Sequence, residues 1–193
     1  MIIDSPDAPA LVVSACWGVF IVAWAVSAWF VKPTVERGGW SWLRLPLIGT
    51  ALLAWWSLRG SAPGFASARL WDPSAASRTI AAALTLGGLA IALWARWTLG
   101  RNWSGAVVIK RDHQLVEDGP YRFVRHPIYT GLLLMALGTA MLEAHTAAFG
   151  LCAFIGVALW IKLQAEERLL TRHFPDTYPL YRRRVRALIP FLL

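Results

Sequence analysis

Apolar stretches of membrane length set the strongest limit on what this chain can fold into. Residues 10–31 run almost without a polar side chain, and ~20 apolar residues are what an α-helix needs to cross the hydrocarbon core of a bilayer. Further apolar blocks follow at 45–58, 79–99, 128–142 and 146–163. In lipid the backbone has to satisfy its own hydrogen bonds, so such blocks predict helices. The expected fold class is all-α: a polytopic integral membrane protein with about five transmembrane helices. A soluble domain is excluded on the same ground, because 57% of the chain is hydrophobic and only 16% is charged.

The first block is expected to stay as a permanent span. Residues 1–10 contain Asp4 and Asp7 but no Lys or Arg, and no small-residue cleavage site follows. Lys and Arg then set the orientation. Three lie in 32–44, six in 96–125 and seven in 162–186, while 59–78 holds three and the turn 143–145 none. Five spans put sixteen of these charges on one face and three on the other, which makes the richer face cytoplasmic and the N-terminus external. The same distribution accounts for the net charge of +8 without any nucleic acid. Loops this short fit a prokaryotic inner membrane. A single membrane domain, 1–193, is expected, with N-terminal spans in 1–93 and the polar segments concentrated in 94–193. Cys16 and Cys152 lie inside apolar blocks and read as small buried hydrophobes. Gly87-Gly88 would let another helix approach closely, from this chain or a second copy, but no obligate protein partner is inferred.

Against this background one segment stands apart. Residues 119–131, Gly-Pro-Tyr-Arg-Phe-Val-Arg-His-Pro-Ile-Tyr-Thr-Gly, bring Arg, His, Tyr and backbone breaks to the edge of the bilayer, where they are costly unless they serve a function. Pro127 suits the first turn of the following helix, whose N-terminal N–H groups then favour an anionic group such as a carboxylate. Tyr129 lies three residues beyond His126, so both can share one face of that turn. Further on, Glu166 and Glu167 leave the last block on a face where acids are scarce. Lys162 stands four residues before Glu166, a spacing that permits an ion pair. A helix N-terminus for a carboxylate, an acid for a cation and aromatic rings for stacking suit a zwitterionic, nucleotide-like ligand, held in a cytoplasmic pocket built from 100–127 and the C-terminal tail. The basic run Arg182–Arg186 reads as a patch for anionic membrane lipids.

The sequence contains no nucleophile elbow, phosphate-cradling Gly-Lys loop, G-x-G-x-x-G or cluster at metal-ligand spacing, which argues against hydrolase, NTPase, Rossmann and metal chemistry. The run H-x-L-V from His113, G-P-Y-R-x-V-R-H-P-x-Y-x-G from Gly119 and E-E-x-x-L-x-x-x-F-x-x-x-Y-x-x-Y from Glu166 resembles the isoprenylcysteine carboxyl methyltransferase family and its phospholipid-methyltransferase relatives. The resemblance covers about residues 94–193. It implies a membrane methyltransferase that uses S-adenosyl-L-methionine, with S-adenosyl-L-homocysteine as product, and acts on a lipophilic acceptor. It also implies cofactor contacts from His113, Gln114, Leu115, Val116, Tyr121, His126, Pro127, Ile128, Tyr129 and Glu166, with Glu167 beside them. Lys162 stands where eukaryotic members carry a substrate-contacting Arg, and Arg125 is the other catalytic candidate. Lysine keeps the charge but loses the planar fork. Phe174-Pro-Asp-Thr-Tyr178 replaces the family's F-G-x-x-Y. Both departures bear on the acceptor rather than the fold.

Two other readings stay open. A sterol-reductase-like oxidoreductase binding NADPH shares the R-x-H-P-x-Y flavour, although about ten spans would be expected of it. A scaffold of the same fold without turnover is the other.

Overall fold

The computed structural model describes residues 8–28, 68–100 and 115–190, together with the backbone of 34–37 and 108–110. Five α-helices run in the order α1 (Ala8–Ala28), α2 (Ala75–Leu99), α3 (Pro127–Glu143), α4 (Thr146–His173) and α5 (Tyr178–Arg184). A 3₁₀ turn over Gly119–Arg122 leads into α3. Two short strands, β1 (Thr34–Arg37) and β2 (Val108–Lys110), pair antiparallel; this ribbon is a small addition to the expected all-helical architecture. Helices α1, α2 and α4 are long and apolar enough to cross a membrane, and α3 is a shorter apolar helix. Four of the five expected spans are thus present as helices, three of them long enough to cross, and the one expected over 45–58 lies outside the described residues.

Helix α2 begins at Ala75, four residues ahead of the apolar block. The reason is local: Ser74 caps it, accepting a hydrogen bond from Ser77 N at 3.2 Å, and this satisfies one of the end donors a helix leaves open. The α3–α4 connection is the expected tight hairpin. Ala144 takes a left-handed conformation (φ 54°) and closes α3 through its N–H to Ala140 O. The 68–70 segment then clamps the turn, with Leu70 N donating to Ala144 O and Thr146 N to Ala68 O.

Helix α2 packs mainly on α3, along a seam of small residues. Ala81, Thr85, Gly88, Ala92 and Ala95 recur at alternating spacings of four and three, and all are buried. A β-carbon on Gly88 would lie 2.5 Å from Gly131 O, and one on Gly131 would lie 2.9 Å from the Ala92 β-carbon. The two backbones therefore meet at a distance only glycine permits, as in close membrane-helix pairs. This decides the role of Gly87-Gly88: Gly88 serves the chain's own α3, while nothing lies within 4 Å of a β-carbon on Gly87. Helix α1 rests on this pair through Cys16, which packs with Leu89 and Met135, and through Trp17 Nε1, which donates to Thr139 Oγ1 at 3.0 Å.

The length of α3 positions everything below. Its 17 residues span only about 25 Å, less than the ~30 Å hydrocarbon core. The non-helical backbone before it packs among buried side chains, Val124 and His126 included, so its polar groups need protein partners. The C-terminal tail provides them. Arg125 N donates to Arg186 O at 2.7 Å, His126 N to Ala187 O at 3.0 Å, and Thr130 Oγ1 to Leu188 O at 2.7 Å.

The seam makes a paired prediction. Gly88→Ala forces backbone against backbone and is expected to cost about 1–3 kcal/mol, whereas Gly87→Ala is neutral or slightly stabilising. Thermal unfolding in detergent would show a lower midpoint for Gly88→Ala alone; equal midpoints would refute the seam.

Candidate active site at the polar end of the helices

The end of the bundle that carries the α2 C-terminus and the α3 N-terminus is organised on one apolar cluster. Ala95, Tyr121, Ile128, Tyr129, Leu163, Ala187 and Leu188 are buried together, with Trp24, Leu99 and Val116 packed against them. The polar side chains rise from this floor. His126 caps α3 by position without a side-chain capping bond, and Pro127 takes the first turn as its fixed φ favours. The three-residue spacing of His126 and Tyr129 becomes a stacked pair, with ring centroids 5.4 Å apart and planes within 5°.

Helix α4 brings its charged turn against this stack. Tyr129 OH donates to Glu166 Oε1 at 2.7 Å. Lys162 Nζ lies 3.9 Å from the same oxygen and 5.1 Å from the centre of the Tyr129 ring. His126 Nδ1 is 3.7 Å from Glu166 Oε2. Carboxylate, ammonium, imidazole and phenol thus share one wall. Lys162 and Glu166 are neither fully buried nor exposed, at 27% and 19% of their side-chain surface.

Glu167 points elsewhere. It is 3% exposed, and Arg125 approaches its Oε1 through Nε at 2.8 Å and Nη2 at 2.6 Å. Arg182 Nε adds a contact to Oε2 at 3.2 Å. His126 Nε2 lies 3.4 Å from Oε1 without hydrogen-bond geometry. The third nitrogen of Arg125, Nη1, donates to the tail, to the carbonyls of Arg182 and Val185. A buried carboxylate held by two guanidiniums joins α4, the entry to α3 and the tail at one point.

The tail is fixed further by its tyrosines. Tyr181 OH donates to Tyr121 O at 2.6 Å, and Arg184 Nη2 pairs with Glu117 Oε2 at 2.7 Å. Burial pushes the phenols of Tyr178 and Tyr181 well above the usual tyrosine range, with nearby Glu167 and Glu117 adding to the effect. Both therefore stay neutral, and Tyr181 remains a donor, across the physiological range.

Of the residues singled out in the sequence, His126, Tyr129, Lys162 and Glu166 converge on the wall. Tyr121, Pro127, Ile128 and Val116 form or adjoin the floor, and Leu115 is half-buried next to Val116. Arg125 and Glu167 form the lock behind the wall, while His113 and Gln114 lie outside the described residues. Arg182, Arg184 and Tyr181 carry roles that the sequence reading missed. Their partners lie far away in the chain, and the run 182–186 is more than a basic patch, since Arg182 and Arg184 already face acids.

The segment that holds the wall and the lock is also the one that known proteins share. Residues 81–172 match the isoprenylcysteine carboxyl methyltransferase (ICMT) family. By this stretch, just under half of its length, the chain is similar to the ICMT family. The match runs from the second turn of α2 almost to the end of α4 and includes His126, Tyr129, Lys162 and Glu166. A protein-S-isoprenylcysteine O-methyltransferase of Schizosaccharomyces pombe is 38% identical over 99 residues, covering 48% of this chain and 41% of its own. Protein-S-isoprenylcysteine O-methyltransferase B of Arabidopsis thaliana is 32% identical over 98 residues, covering 49% and 50%. The nickel-cobalt-cadmium resistance protein NccN of Alcaligenes xylosoxydans xylosoxydans is 33% identical over 124 residues, covering 63% and 55%. The chain spans about half the length of the curated relatives it matches. Among the described residues no group of His, Cys, Asp and Glu is placed to hold a metal ion.

The lock predicts unequal costs. Arg125→Met leaves Glu167 buried without its main partner and is expected to destabilise the fold by about 3–5 kcal/mol. Arg182→Met removes a guanidinium that is 55% exposed and should cost about 1 kcal/mol or less. Thermal unfolding of the two variants, with Arg125→Met/Glu167→Leu to recover part of the loss, checks the order.

Proposed function

We propose that this chain is a membrane-embedded methyltransferase that uses S-adenosyl-L-methionine and acts on a lipophilic acceptor. One observation carries the reading: His126, Tyr129, Lys162 and Glu166 meet on one wall at the polar end of a helical bundle, within the segment that matches the ICMT family. When bound, the cofactor supplies a methyl group on a sulfonium. The donor set fits it, because Glu166 presents a carboxylate to a cation, and Tyr129 and His126 present flat rings beside it. His113, Gln114, Leu115, Val116 and Tyr121 complete the cofactor side in this reading, with Pro127 and Ile128 shaping the helix start.

Methyl transfer demands alignment more than covalent help, and alignment in a water-poor site is worth several kcal/mol. Lys162, one turn before Glu166, takes the acceptor side and orients an ionised carboxylate, thiolate or similar group. Arg125 and Glu167 act behind the wall, holding α4 and the tail in register. The acceptor reaches the site from the bilayer and the cofactor from the cytoplasm, the face to which the sixteen clustered basic residues assign this end.

Two measurements test this. In detergent, S-adenosyl-L-methionine or S-adenosyl-L-homocysteine is expected to raise the unfolding midpoint of the wild type, by the equivalent of ~2.7 kcal/mol at a hundredfold excess over Kd. Glu166→Ala loses the shift, and NADPH gives none; a shift with NADPH alone would move the chain to the reductases. On an acceptor that the wild type methylates, Lys162→Met should lower kcat/KM by about ten- to a hundredfold, the worth of one charge-assisted contact, with Lys162→Arg retaining most of it. Full activity in Lys162→Met would remove that residue from the acceptor side.

A further inference from the structure

The flank of α4 turned away from Lys162 and Glu166 carries a second concave feature. An open cavity of about 250 Å³ lies between α4 and the tail. Trp160 and Leu163 form its apolar side, Arg182 and Arg186 its outer rim, and the Arg125–Glu167 pair its back. At about 100° per residue Lys162 and Glu166 lie roughly 100–160° round the helix from Trp160 and Glu167, so this groove opens on another flank of α4, sharing Leu163, Ala187 and the Arg125–Glu167 pair with the site described above.

Its charge is unbalanced. Three guanidiniums line the groove against one carboxylate, and that carboxylate is already engaged by Arg125 and Arg182. Arg186 is exposed, and among the described residues no acid lies within ion-pair distance of it. Such an excess beside a tryptophan invites an anion with an apolar neighbour. The position is also telling: Trp160 stands two residues before Lys162, where the apolar part of α4 ends, and tryptophan there marks the membrane–water boundary. From the groove an exposed strip of Val157, Ala153 and Gly150 continues down α4 at spacings of three and four. An acyl chain can follow it without leaving the bilayer.

We propose that this groove binds one anionic phospholipid, its phosphate between Arg182 and Arg186 and an acyl chain along Trp160, Val157 and Ala153. The ligand docks the tail to the membrane on the side opposite the wall. This differs from general attraction of basic residues to a charged surface, because it requires a fixed stoichiometry and particular side chains. It does not depend on the proposed methyl transfer, since binding alone is read.

The full-length protein would be released from detergent in native mass spectrometry after equilibration with dioleoylphosphatidylglycerol or dioleoylphosphatidylcholine. The expected result is one retained phosphatidylglycerol, favoured over phosphatidylcholine by at least about fivefold. Arg186→Gln removes an exposed side chain while leaving the backbone donor–acceptor pair with Arg125 intact, and it should reduce that retention by about fivefold, the worth of one basic group near an anionic headgroup. Trp160→Ala should weaken retention of both lipids. Equal retention of the two lipids, or retention unchanged in Arg186→Gln, overturns the proposal. So does a rise in unfolding midpoint with inorganic phosphate that matches phosphatidylglycerol, which would make this a site for a soluble anion.

Discussion

A helix too short for the bilayer sets the terms of this structure. With α3 starting at Pro127, the chain before it is non-helical, Val124 and His126 are buried, and peptide groups left unpaired there would cost several kcal/mol each. The chain answers by bringing Arg186 and Ala187 back alongside and pairing them with that backbone, while Leu188 O accepts from the Thr130 hydroxyl. Everything polar at this end follows from that return. The tail that satisfies the peptide groups also delivers Arg182 to Glu167 and the Tyr181 hydroxyl to Tyr121.

The Arg125–Glu167 pair is best understood as a device for position. Burying two charges consumes much of what their attraction returns, so its value to overall stability is modest while its geometric demand is strict. It fixes the rotation of α4 about its own axis. With Glu167 held inward, Glu166 and Lys162 have no choice but to face Tyr129. Stability comes instead from the glycine and alanine seam between α2 and α3, where close backbones gain dispersion contacts over a long interface.

Much of this was legible in the sequence because it rests on local rules. Apolar length gave the helices, Pro127 marked the start of α3, and the i, i+3 and i, i+4 spacings of His126–Tyr129 and Lys162–Glu166 gave contacts that hold in three dimensions. Where the reading stopped, the cause was distance along the chain. Glu166 and Glu167 look equivalent as neighbours, yet one helix step of 100° sends one to the wall and the other into the lock. The arginines of the tail likewise look like a surface patch until Glu117 and Glu167 are seen opposite them. Gly87 and Gly88 show the same limit, since only their partner helix tells which of the two matters. Ser74 was a missed local signal: a serine ahead of two alanines is an ordinary helix start.

The turn at Ala144 and His145 lies at the far end of the bundle from the site, yet it governs the site. Two residues leave α3 and α4 almost no freedom to rotate against each other, and the clamp from Ala68 and Leu70 removes what is left. The hairpin thus works as a phase reference, with its zero at this turn and its reading taken about four helical turns along α3 and about six along α4, where Tyr129 meets Glu166. Length variation in this protein should therefore be confined to the other loops. At this turn even a single added residue would shift the phase and bring the wrong face of α4 to His126.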